Sequence, residues 1–215
     1  MSMIRTIVFD LGGVIFNIDK RQAIRRFNEA GFADAARYLD AFHQVGIFGE
    51  LESGAITAEQ FRARLSELAG KPMTMDDCAR GWQGYFVDLP ASNLDKLVEL
   101  RQRGYRLCLL SNTNPFMMQW VRSDAFDGRG HGIGHYFDAL YLSYEMRVMK
   151  PDRRIFEMML QAEHAVPSET VFVDDGAHNV AAAAALGMHV LQPADASDWH
   201  DRLERLIADC QHQDD

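Results

Sequence analysis

Five short apolar runs, rich in β-branched and aromatic residues, constrain this chain more than any other feature. Thr6-Ile7-Val8-Phe9 stops at Asp10, Leu107-Cys108-Leu109-Leu110 at Ser111, Ala139-Leu140-Tyr141-Leu142 at Ser143, and Thr170-Val171-Phe172-Val173 at Asp174. The fifth, Met188-His189-Val190-Leu191, follows an alanine-rich segment, Val180 to Leu186, that reads as a helix stopped by Gly187. A strand that is apolar at nearly every position buries both faces, as strands do in parallel sheets covered by helices on either side. The expected fold class is therefore α/β, with a Rossmann-like parallel sheet. Ligands of such sheets bind beyond the carboxyl ends of the strands. Asp10, Ser111 and the pair Asp174-Asp175 all stand at such ends, so the fold alone would gather them into one crevice.

The stretch between Phe9 and Leu107 is far longer than one crossover helix needs. Within it, residues 20–88 read as amphipathic helices: Arg21 to Ala30, Ala33 to Gln44, Thr57 to Leu68 and Met75 to Tyr85. Thr57 and Gln60 have the spacing of a capping box. A helical cap domain over 20–88 is thus expected, inserted into a core domain made of 1–19 and 89–215. Its place directly after the first strand would let it fold over the crevice.

Composition narrows the partners. A net charge of −9 argues against nucleic acid, because a phosphate backbone selects basic faces. An acidic chain can still bind a small phosphate ester if a metal ion and a lysine supply local positive charge. Cys78, Cys108 and Cys210 are scattered and form no CxxC pair, which reads as reduced thiols of a cytosolic protein. The apolar run from Ile7 to Ile18 is broken by Asp10 and Asn17 and lacks a cleavage-site pattern, which argues against a signal peptide. No stretch reaches the roughly 20 apolar residues of a membrane span. The expectation is a cytoplasmic monomer or homodimer that acts on a small phosphorylated metabolite.

Four patterns at or just beyond strand ends carry chemistry. Phe9-Asp10-Leu11-Gly12-Gly13 places a carboxylate before two glycines that let backbone approach a ligand. Ser111-Asn112-Thr113-Asn114 offers a hydroxyl for a phosphoryl oxygen. Lys150-Pro151 offers a point charge at the start of a helix that the proline would pre-organise. Asp174-Asp175-Gly176, with Asn179 beyond, offers an acidic pair for a hard cation. Together they provide a carboxylate nucleophile, a magnesium site and groups to hold the equatorial oxygens, which are the needs of phosphoryl transfer.

In this order and spacing the four patterns resemble the motifs of the haloacid dehalogenase superfamily of phosphohydrolases, from Ile4 to about Leu191. The resemblance implies that Asp10 is the nucleophile and that Ser111 and Lys150 stabilise the phosphoryl group, with Asn112 beside them at the substrate. It also implies Mg²⁺ held by Asp10, the carbonyl of Gly12 and Asp175, with Asp174 helping directly or through water. The helical insertion corresponds to that superfamily's cap. Glu52-Ser53-Gly54-Ala55-Ile56-Thr57 and Gly81-Trp82-Gln83 look most like the bacterial α-D-glucose-1-phosphate phosphatase group.

One position departs from the pattern. Most phosphatases of the superfamily carry a second aspartate two residues after the nucleophile, as acid and base; here that residue is Gly12. Such catalysis contributes roughly 10²–10⁴-fold. A hexose 1-phosphate, whose leaving oxygen belongs to a hemiacetal, would need less help. His43, Glu50 and Glu52 are residues of the insertion that could substitute. The same glycine keeps two competitors open, a metal-independent 2-haloacid dehalogenase and a weakly active phospho-ligand-binding protein. The acidic pair Asp174-Asp175 opposes the first. Trp82 and Phe48 could line a sugar pocket, although aromatic residues on amphipathic helices are more often core.

Overall fold

The computed structural model describes residues 3–40 and 44–212. Its strands are β1 (Thr6–Phe9), β2 (Asn17–Ile18), β3 (Phe86–Asp88), β4 (Arg106–Ser111), β5 (Ala139–Leu142), β6 (Thr170–Val173) and β7 (His189–Leu191). The helices that matter below are α1 (Lys20–Glu29), α2 (Gly46–Glu52), α3 (Ala58–Ala69), α4 (Met75–Gln83), α5 (Ala91–Gln102), α6 (Pro115–Val121), α7 (Ser143–Met146), α8 (Arg153–Glu163), α9 (Ala177–Ala184) and α10 (His200–His212).

The five apolar runs form one parallel sheet in the order β5-β4-β1-β6-β7. Alternate residues of β1 enter opposite cores. Val8 packs in the cluster of Cys108, Leu110, Phe156 and Phe172, whereas Ile7 and Phe9 join Leu107, Leu109 and Trp199. Both faces of the sheet are therefore dry, which is why the sequence shows runs instead of alternation. Phe9 pairs with Leu109 on one side and Val173 on the other. That register brings Asp10 level with the first residue after β6, and the Asp10 amide donates to Val173 O at 2.9 Å.

Helices α1 to α4 form the insertion, and β2 pairs with β3 antiparallel to bring its two ends together. Its centre is aromatic. Phe48 meets Phe61 edge-on at 4.9 Å and Phe27 at 5.1 Å, with Trp82 at 5.4 Å. Phe61 also reaches Phe116 of α6 at 5.8 Å, which joins the insertion to the sheet's helices. The capping box forms as expected: Gln60 N donates to Thr57 Oγ1 and Thr57 N to Gln60 Oε1. Phe48 is core, fully buried among these rings.

Two local expectations fail. Among the described residues of the segment from Ala33 to Gln44 there is no α-helix; Ala35–Arg37 makes a 3₁₀ turn. Gln44 explains part of this, since its side-chain amide bonds both Asp40 N at 2.8 Å and Asp40 O at 3.0 Å, satisfying backbone groups that a helix would otherwise pair. His43 lies outside the described residues. Conversely, α2 forms despite Gly46 and Gly49, poor helix formers, because Ile47, Phe48 and Leu51 are buried there. Pro151 also does not open the helix after Lys150. Asp152 caps α8 by accepting from Arg154 N, and Pro151 precedes it.

The loop that follows Asp10 is gripped from two elements. Asn93 on α5 is fully buried and its Nδ2 donates to Ile15 O at 2.9 Å and Ala196 O at 2.7 Å, while Trp199 Nε1 donates to Val14 O at 3.0 Å. Asn93→Ala strands these carbonyls and should lower stability by roughly 1–3 kcal/mol, read as a lower urea midpoint with unchanged slope. An unmoved midpoint would mean that the loop holds itself.

Candidate active site

Lys150 sets the geometry. Its side chain is 0% exposed, and its ammonium lies 2.9 Å from Asp10 Oδ1 and 2.6 Å from Asp174 Oδ2. Burial alone would lower its pKa, but the charges of Asp10 and Asp174 outweigh that and raise it, so it stays charged. Asp10 Oδ1 also accepts from the Leu11 amide at 2.7 Å. One oxygen of Asp10 is thereby fixed and the other left for chemistry. Asn112, expected at the substrate, lines the crevice, and its amide engages Lys150: Nδ2 donates to Lys150 O at 2.9 Å, and Oδ1 accepts from Lys150 N at 2.8 Å.

The two acids after β6 divide. Asp174 is fully buried and accepts from Gly176 N at 2.8 Å, from Asn179 Nδ2 at 3.0 Å and from Lys150. Asp175 turns toward the crevice that Asp10, Gly12, Ser111 and Lys150 also line. Gly13 makes this possible. Its φ is +78°, and a Cβ there would stand 2.2 Å from Asp175 Oδ2, so any side chain would evict the carboxylate.

Ser111 ends β4 with a hydroxyl whose one contact within the protein is a long 3.4 Å approach to Asn112 O. It does not cap the next helix. That role belongs to Asn114, whose Oδ1 accepts from Phe116 N and Met117 N ahead of Pro115. The Ser111 hydroxyl is thus free to meet a ligand.

The insertion adds a wall to the crevice with Gln44, Glu52, Trp82 and Tyr85. Glu52 is 6% exposed and its carboxyl hydrogen-bonds Asn114; burial first, then the charge of Asp10, pushes its pKa up to about 8. Trp82 Nε1 is buried without a partner. Glu50, by contrast, pairs with Arg64 at the surface. The sequence places Asn114 in the Ser111 pattern and Ser143 at the end of an apolar run, but it assigns neither a role at this wall; the Asn-Pro pair ahead of an apolar run is a legible cap signal for Asn114, and no local pattern ties Ser143 to Glu52. His178 is exposed and lies away from the crevice.

Asp10, Asp174 and Asp175 each offer an oxygen within 4.8 Å of the others. Three carboxylates thus face one ammonium, and their charge is incompletely balanced. Burial, followed for Asp175 by the charges of Asp10 and Asp174, raises the pKa of Asp10 to about 6 and of Asp175 to about 7. A divalent cation would relieve this, and an all-oxygen donor set of this kind suits Mg²⁺. The residues present fit such an ion, with Asp10 and Asp175 facing the crevice and Asp174 behind them.

A family model described as haloacid dehalogenase-like hydrolase matches residues 4–187. The D-ribitol-5-phosphate phosphatase of Bacteroides thetaiotaomicron is 44% identical over 205 residues, spanning 95% of this chain and 99% of that protein. A predicted HAD-like family hydrolase from Porphyromonas gingivalis has a solved structure that matches with a TM-score of 0.90 at 39% identity, over 96% of this chain and 98% of that one. A HAD family enzyme from Bacteroides thetaiotaomicron, solved in complex with magnesium and inorganic phosphate, gives a TM-score of 0.85 at 35% identity, over 93% and 98%.

The raised acids set a sign for pH dependence. Folding lifts both carboxyls above their ordinary 3.8, so the folded chain binds protons more tightly and loses stability as pH rises through about 6 and 7. Mg²⁺ should cancel that loss. Its stabilisation, about 2.7 kcal/mol at a hundredfold excess over Kd, should be larger at pH 8 than at pH 5.5, where protons compete. Thermal unfolding with and without Mg²⁺ measures this, and Asp175→Asn should shrink the shift at pH 8. An equal shift at both pH values would contradict the assignment.

Proposed function

The chain belongs to the haloacid dehalogenase-like hydrolase family, and we propose that it is a Mg²⁺-dependent phosphatase of small sugar or sugar-alcohol phosphates, with Asp10 as nucleophile. The observation that carries this reading is the fixed Asp10 carboxylate, held through Oδ1 by Leu11 N and Lys150 within a cluster of three acids. In this reading the free oxygen of Asp10 attacks phosphorus and forms an aspartyl phosphate. Lys150 and the weakly engaged Ser111 hydroxyl hold the equatorial oxygens. Asn112 acts as a positioning residue, because its amide fixes the backbone that carries Lys150. Mg²⁺, held by Asp10, Asp175 and the Gly12 carbonyl, would neutralise charge between carboxylate and phosphate. Asp174 orients Lys150 from behind. The excess of carboxylate over ammonium speaks against the metal-independent dehalogenase alternative.

The wall that the insertion adds to the crevice supports the substrate class. The unpartnered Nε1 of Trp82 is a donor that a hydroxylated leaving group can satisfy. The relative at 44% identity is named for D-ribitol 5-phosphate, which favours a sugar-alcohol phosphate here too. Gly12 favours a hexose 1-phosphate, whose leaving oxygen is the more acidic. The two classes are separable by measurement. A phosphate-release panel should show turnover of sugar or sugar-alcohol phosphates that EDTA abolishes and Mg²⁺ restores. Asp10→Asn should reduce it by roughly 10³-fold or more. Activity that survives EDTA would reject the metal-dependent reading, and binding without turnover would reject the enzyme.

A further inference from the structure

We propose that Glu52, carried by the insertion, is the acid–base residue of this site, supplying the proton transfer that Gly12 cannot. The proposal rests on the phosphatase reading above. Among the described residues lining the crevice, three have carboxyl groups, Asp10, Glu52 and Asp175. Asp10 and Asp175 belong to the cation cluster, which leaves Glu52. It lines the same crevice as Asp10 and feels that residue's charge, and it is into this crevice that a leaving oxygen must emerge if Asp10 attacks in line.

Position 12 carries no side chain, and a Cβ there would lie 3.1 Å from Ile18 Cγ2, which would have to give by a few tenths of an ångström. Glu52 is instead held at three points. Its carboxyl hydrogen-bonds Asn114 at the start of α6. Its backbone carbonyl accepts from Ser143 Oγ at 2.6 Å, and Ser143 also accepts from Thr113 N at 3.0 Å. Two residues on, Gly54 has φ +68° and packs so tightly on α7 that a Cβ would stand 2.2 Å from Tyr144 O. These contacts tie the end of α2 to the ends of β4 and β5, so the carboxyl is placed by the same sheet that places Asp10. Burial keeps Glu52 protonated near neutral pH, the form that a proton donor requires.

The step balances. Asp10 forms a bond to phosphorus as the phosphorus–oxygen bond to the leaving group breaks, and the departing oxygen takes the Glu52 proton. In the second half a water oxygen bonds to phosphorus, its proton goes to the Glu52 carboxylate, and the bond to Asp10 breaks. Inorganic phosphate and both starting carboxyl states are restored.

Glu52→Gln keeps the shape and the contact to Asn114 while removing the proton, and the test compares two esters in Mg²⁺. On D-ribitol 5-phosphate, whose alkoxide leaves badly, the variant should lose about 10²–10⁴-fold and show no burst. On p-nitrophenyl phosphate, whose phenolate leaves unaided, it should release a burst of one p-nitrophenolate per active site. Turnover should then be slow, with a phosphoryl adduct visible by intact mass, because water is no longer activated. Equal loss on both esters without a burst would make Glu52 structural and overturn the proposal. So would undiminished steady turnover of the aryl ester, which would make Glu52 a substrate contact alone. Should Glu52→Gln fail to fold, Glu52→Asp must still depress the alkyl ester more than the aryl ester, or the proposal falls. Wild-type protein that releases phosphate from neither ester would instead reject the phosphatase reading.

Discussion

The buried ammonium of Lys150 is the interaction on which the site depends. A charge of this kind, removed from water, is tolerated only where partners surround it, and its partners are the carboxylates that end β1 and follow β6. Much around it serves to hold that arrangement. Asn112 clamps the lysine backbone, Gly176 and Asn179 hold Asp174, and the Leu11 amide holds Asp10. Asp175 then adds a further carboxylate, which Lys150 offsets less than burial and the other two acids oppose it. A chain selected for stability alone would gain from apolar residues here. The deficit of positive charge is useful to a protein that must hold a cation and a phosphoryl group at one place.

The parallel sheet was legible because its strands are buried on both faces, which writes them into the sequence as uninterrupted apolar runs. Asp10, Ser111 and the acidic pair were legible for a related reason, since each sits at or just past the end of such a run, whereas Lys150 comes eight residues after β5, beyond α7. The arrangement of the insertion was less so. The segment after Ala33 has helical periodicity, yet Gln44 takes up the backbone of Asp40, a side-chain competition that periodicity does not register. Helix α2 contains two glycines and forms only because Phe48 and its neighbours are buried by the other helices. The place of Glu52 depends on Ser143, far along the chain, and no local pattern connects them. Trp82 reads as core and is core, but it also lines the crevice, a dual role that burial statistics do not separate.

Responsibility for chemistry is therefore split between two parts of the chain that fold differently. The sheet ends supply charge and rigidity, because their backbones are fixed on both sides by neighbouring strands. The insertion supplies the groups that would meet a leaving group, and it meets the sheet where Ser143 and Gly54 join them. Substrate choice can then change through α2 and α4 while the phosphate-binding half stays as it is. The glycine after Leu11 fits this division, since it has no side chain with which to move a proton from the sheet side.

The central position of β1 has a consequence for how the chain matures. Its neighbours β4 and β6 come from far along the sequence, so Asp10 acquires Ser111, Lys150 and Asp175 only after both long-range pairings are made. Such pairings form late and slowly because loop closure precedes their reward. Partly folded species would carry the aspartate without its lysine or its acidic neighbours, and so lack both the anion-holding groups and the cation site. Hydrolytic competence then coincides with completion of the sheet, and a nascent chain cannot trap phosphate esters before it is native.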